Sequence, residues 1–196
     1  MKQTLLGGIV GGVILFIWSF LAWVILPLHE PTLHRIKDED AVRTMLQSTI
    51  DTKAVYIVPH GPDNKSDQAA MSAWEQKMKQ GPTGLIIFDP QGSDPMMASQ
   101  MVSGILIDIL TGILIAWFLK RSTALASTYV ARVAYCGMLG IFIAVISHLT
   151  AWNWMGFPAD YTTAMIVDTL ISMVLAGLGI AAIVKTRDAV QSASPA

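Results

Sequence analysis

The sequence predicts a membrane all-α protein with four transmembrane helices, arranged one plus three around a small αβαβ insert. Three observations carry that prediction. Uncharged or nearly uncharged apolar runs cover residues 5–26, 102–119, 130–152 and 163–184, each long enough to cross a hydrocarbon core at about 1.5 Å of rise per residue. Only 14% of the residues are charged, against about 25% in soluble domains, and the shortfall falls on the two ends of the chain. The middle, residues 28–100, has ordinary soluble composition and is punctuated by turn residues.

The chain therefore divides into an anchor helix over 1–27, an extracytoplasmic α/β insert over 28–100, a three-helix bundle over 101–187, and a disordered cytoplasmic tail over 188–196. The first run, Leu5–Leu26, exceeds the 7–15 residues typical of a signal-peptide core, and no A-x-A-like site follows it, so it reads as an uncleaved anchor. Gly7, Gly8, Gly11 and Gly12 place small residues four apart on adjacent stripes, the spacing that lets helix backbones approach closely. Trp18 and Trp23 approach the exit, and Pro27 ends the run.

In the insert, Asp38, Glu39 and Asp40 open a helical pattern that continues through Val42, Met45, Leu46 and Ile50, with the acids where the helix dipole favours them. AVYIV at 54–58 is a strand stopped by Pro59. HGPDNKS is turn chemistry, and Ser66 or Asp67 caps a helix over 68–80 that Gly81-Pro82 closes. GLIIF at 84–88 is the second strand. A helix between two strands is long enough to be a right-handed crossover joining a parallel pair. Two strands alone make a marginal sheet, so support from the helices, the membrane surface or another chain is expected.

Lys2, Lys120, Arg121, Arg132, Lys185 and Arg187 lie at the N-terminus, the 120–132 connection and the C-terminus, whereas WNWMGFPADYT between the last two spans has no basic residue. By the positive-inside rule both termini face the cytoplasm and the insert lies outside, in a multi-pass protein of the cell's inner (plasma) membrane. The insert's seven basic and ten acidic residues do not disturb that reading, because long loops translocate largely regardless of charge.

Three ionisable residues sit inside the apolar runs: Asp108, His148 and Asp168. Such residues cost roughly 2.5 kcal/mol or more to insert and normally face a protein interior or an aqueous cavity. Each lies one to two turns from the same membrane face on a stripe of small or polar residues, so the three are expected at similar heights, where they could form a proton- or cation-responsive site. Alternatively, the carboxylates hydrogen-bond to hydroxyls and backbone and merely fix helix packing. Gly137 and Gly140 give the third span a packing stripe of its own.

His29, Glu30 and His34 follow the first span and are chemically suited to a divalent transition metal, although Pro31 removes any assumption of helical ligand spacing. His60 reads as a turn residue. No cofactor is implied. Cys136, the single cysteine, rules out both an internal disulfide and a cysteine zinc site within one chain. A net charge of −1 with no basic stripe gives no basis for nucleic-acid binding. No nucleophile-elbow, zincin, Walker or dinucleotide motif occurs, so the sequence carries no warrant for an enzyme, which would need a pocket beside His29, Glu30 or His60.

The expected function is thus of interaction or accessory type. The chain would be a subunit or scaffold of a membrane assembly, or a sensor presenting the insert, in contact with membrane lipid and forming a homo- or hetero-oligomer. The alternative is a small ion- or proton-coupled transporter acting as an oligomer through Asp108, Asp168 and His148.

Overall fold

The computed structural model describes residues 1–95, 97–122 and 128–186, which form two compact units, residues 1–34 with 97–186 and residues 35–95. Arg187 and the predicted tail over 188–196 lie outside the described residues.

Four helices in the first unit are long and apolar enough to cross a membrane. α1 is Lys2–Phe20, prolonged by a π-helical turn over Leu21–Ile25. α4 is Ala98–Arg121 and α7 is Ala159–Ile183. The third span comprises α5 (Tyr129–Ile143), a π-helical stretch over Ala144–Leu149, and α6 (Thr150–Met155). Each span runs a few residues beyond its apolar run at one end or both, because helical hydrogen bonding continues into interfacial residues that a hydropathy reading excludes.

Sequence-adjacent helices are not the main neighbours. α1 lies between α4 and α7, α5 packs on the far side of α7, and α4 and α5 barely touch, which gives a row in the order α4, α1, α7, α5. Glycines make α1 the centre of that row. A Cβ at Gly8 would lie 2.5 Å from Ile113 Cα, and one at Gly112 would strike the backbone of Gly8 and Gly12, so α1 and α4 meet backbone to backbone. On the other face, a Cβ at Gly7 would lie 2.6 Å from Val184, and one at Gly11 would lie 2.5 Å from Ile180. All four glycines of the first span are thus used within the chain. Gly140 packs at 3.0 Å from Met173 by the same measure, whereas Gly137 makes only ordinary contact.

The buried core joins Leu15, Ile115, Ala116, Leu119, Cys136, Met173, Ala176, Ile180 and Val184, from all four spans. It is concentrated toward the Leu119 and Val184 end. Along Ala98–Thr111, the opposite half of α4, no residue is buried.

In the second unit, α2 (Glu39–Thr49) is capped by Asp38, whose carboxylate accepts from the Ala41 amide. α3 (Gln68–Gln80) is capped by Asp67 and closed by Gly81 at φ +68°. The strands are β1 (Ala54–Val58) and β2 (Gly84–Phe88). They pair antiparallel, with Val58 opposite Gly84, so the parallel crossover expected from the sequence is not formed. The reason is the route of the chain. A crossover uses its helix to return to the first strand's start, but here residues 59–67 travel out and α3 travels back to the end of β1. The Trp74 indole donates to Pro59 O at 3.3 Å and closes this excursion.

None of the described residues from 35 to 95 is buried. Tyr56, Ile86 and Phe88 on one sheet face are half-covered, while Val55, Ile57, Leu85 and Ile87 on the other are 60%, 59%, 38% and 81% exposed. Register places Val55 opposite Ile87 and Ile57 opposite Leu85, so these four side chains form one continuous aliphatic patch.

Candidate functional site

The intramembrane polar groups gather on α7 at the end where the chain leaves α1 for residues 35–95. Asp168 is 14% exposed and fully engaged. Its Oδ1 accepts from Trp18 Nε1 at 2.5 Å, and its Oδ2 lies 3.1 Å from His29 Nε2. α1 delivers Trp18 from the face that carries Gly7 and Gly11, so the close packing of those glycines sets the indole against α7. His29 comes from beyond the span: the π turn ends at Ile25, Pro27 follows, and a 3₁₀ turn over Glu30–Thr32 folds the segment back. Thr32 Oγ1 donates to His29 O at 2.8 Å and holds that turn. The His29 ring stacks on Trp23 at 3.8 Å between centroids and is only 1% exposed.

A carboxylate only accepts hydrogen bonds, so pairing of a neutral His29 with ionised Asp168 requires the imidazole hydrogen on Nε2. That leaves Nδ1 a bare lone pair, and it has no partner among the described residues. A buried polar atom left unpaired costs about 1–3 kcal/mol, which the two charge-assisted bonds to Asp168 offset.

His148 stands on the other side of the same α7 segment. It is half-buried, and its Nε2 lies 2.8 Å from Thr169 Oγ1, one residue from Asp168. It is carried by the π-helical stretch, as Trp23 is on the first span, and π turns recur at functional sites because they re-aim side chains.

Asp108 does not join this group. It is half-buried with no hydrogen bond or ion pair among the described residues, and its backbone packs against Gly12. Asp168 bonds to Trp18 and His29 toward the Pro27 end of the first span, whereas Asp108 lies beside Gly12, farther from that end. Of the three intramembrane ionisable residues, His148 and Asp168 lie on one level and Asp108 lies deeper.

The His29, Glu30 and His34 trio does not converge. His29 faces Asp168, Glu30 is exposed, and His34 Nε2 lies 3.8 Å from Asp160 Oδ2 at the first turn of α7. Among the described residues, no three His, Cys, Asp or Glu side chains are grouped closely enough to hold a metal ion. His60 stays in its exposed turn, with Nδ1 2.7 Å from Gly61 O.

Two cavities flank the polar cluster. One, of about 370 Å³, is lined by Trp23, Val24, Ile25, Leu26, Pro27, His29, Glu30 and Leu33. The other, of about 250 Å³, lies between the third span and α7 and is lined by Ser147, His148, Ala151, Phe157, Tyr161, Thr162 and Met165. Sequence reasoning found Asp168 and His148 because they interrupt apolar runs, but not the pairing of Asp168 with His29 and Trp18. These partners are 139 and 150 positions away, and no local pattern encodes the contact.

Comparison with known proteins finds no matching family model, no matching curated protein and no matching solved structure.

Proposed function

We propose that this is an integral membrane protein of interaction type: a subunit or scaffold of a membrane assembly, or a sensor, that presents residues 35–95 to another chain. The supporting observation is the second unit itself, which has no buried residue among those described yet carries the aliphatic patch Val55, Ile57, Leu85 and Ile87. A two-stranded sheet needs cover to be stable, and contiguous exposed aliphatic surface marks an interaction site. The positive-inside pattern supports an orientation in a cell's inner membrane with both termini cytoplasmic and the insert outside. The same incompleteness supports a homo- or hetero-oligomer.

The test is a photo-cross-linking amino acid placed at Ile57 or Ile87 in cells, with Lys65 as the control site. Protein adducts at the first two positions, lost when Val55 and Leu85 are changed to Asp, are the expected result. Adducts to lipid alone, or none, would remove the reading.

A second reading, an ion- or proton-coupled protein acting through Asp108, Asp168 and His148, is favoured by the Asp168 cluster. There a carboxyl group is held in an apolar span by the Trp18 indole and the His29 imidazole. Asp108→Asn and Asp168→Asn separate the two readings. Normal assembly with loss of a pH-dependent flux supports the second, and loss of assembly or no effect supports the first.

A further inference from the structure

The cavity between the third span and α7 differs chemically from the one beside Trp23 and His29, whose lining includes Glu30. Its polar groups are three hydroxyls, of Ser147, Tyr161 and Thr162, and an imidazole, and no Asp, Glu, Lys or Arg side chain lines it. The Ser147 hydroxyl and the Tyr161 phenol have no hydrogen-bond partner among the described residues, although other serine and threonine hydroxyls along the same two spans bond to nearby carbonyls, as Thr162 does to Pro158 O at 2.9 Å. His148 uses Nε2 on Thr169, and its Nδ1 has no partner among the described residues. The wider π turn over Ala144–Leu149 narrows the angle between successive side chains, so the sequence neighbours Ser147 and His148 both line the hollow. Phe157 stacks on Tyr161 with centroids 5.4 Å apart and planes 23° apart, which makes an aromatic wall. Ala151 and Met165 complete the lining.

From this arrangement we propose that the cavity binds the ring of a lipid-soluble quinone. The absence of charge in the lining selects a neutral ligand and argues against a phosphate head. The Ser147 and Tyr161 hydroxyls and the imidazole offer hydrogens to carbonyl oxygen. A flat aromatic wall favours a planar ring over a branched glycerol ester. At about 250 Å³ the cavity falls just below the usual range for small-molecule sites, which suits one substituted ring with its tail left in the bilayer. The site is built entirely within the membrane unit and is independent of any partner of residues 35–95.

The test uses the full chain in phosphatidylcholine nanodiscs, a photoreactive azidoquinone with a decyl tail, and peptide mapping of the adducts. Labelling confined to residues 147–165, and displaced by decylubiquinone but not by decanol, is expected. Tyr161→Phe and Ser147→Ala keep the ring stack and break no hydrogen bond within the chain, so both variants should fold. Together they should raise the concentration for half-maximal protection at least about tenfold, the loss of two hydrogen bonds of modest net strength. Adducts spread over the lipid-facing helices would show partitioning only. Displacement by decanol would show an acyl chain site. Wild-type protection in the double variant would show that the hydroxyls are idle. Any of the three overturns the proposal.

Discussion

At the scale of single residues, Asp168 shows how a membrane protein can keep a carboxylate in an apolar segment. Its two oxygens take hydrogen from Trp18 and His29, which come from a span and a loop far away in sequence. Replacing it by Leu leaves both donors unpaired, and we expect about 1–3 kcal/mol of destabilisation for each, read as a fall in the thermal midpoint of the detergent-solubilised protein. Trp18→Phe keeps a six-membered aromatic ring and loses one donor, so the hydrogen-bond part of its cost should be near half of that. In the second unit, Lys53 Nζ lies 2.7 Å from Asp89 Oδ2. That hydrogen bond, aided by the Gln91 amide, holds the Asp89 carboxyl below the usual carboxylate range. A depressed pKa means that the interaction is fully present above the ordinary range and disappears as pH falls through the lowered value. In Lys53→Ala, an NMR titration should find the Asp89 midpoint moved upward.

At the scale of elements, the parts encoded locally were legible and the parts encoded by route were not. Asp67 and Gly81 bracket α3 as the capping rules require, and AVYIV and GLIIF become strands over the residues expected. Strand direction depends on whether the linking segments spend their length outward or homeward, and composition does not record that. The site shows the same division. An Asp or a His in an apolar run stands out, but Trp18 looks like any interfacial aromatic, and His29 lies beyond Pro27 where no periodicity applies. Helix packing was half legible: glycine spacing announced that α1 would be approached closely, but not that α4 and α7 would take one face each. Gly112, which meets Gly8 and Gly12, is the most demanding of these positions. Gly112→Val should cost about 1–3 kcal/mol by overpacking, or separate α1 from α4, as measured by loss of a disulfide cross-link engineered between the two helices.

At the scale of the whole molecule, the basic residues at the chain ends and at the 120–132 connection predict the orientation. Cys136 is the single cysteine of the sequence, so Cys136→Ser supplies a thiol-free background. Lys65→Cys in that background should react with a membrane-impermeant maleimide on intact cells. Lys2→Cys should react only after lysis, and the reverse pattern would invert the topology.

The position of α1 in the row has a consequence for biosynthesis. Of the four spans, α1 is made before the others, and its two glycine-notched faces are matched to the second and the fourth. One notch is filled when α4 arrives, but the other has no partner until α7 follows. Throughout that interval the four-span unit is half assembled, and the Trp18 indole waits for Asp168.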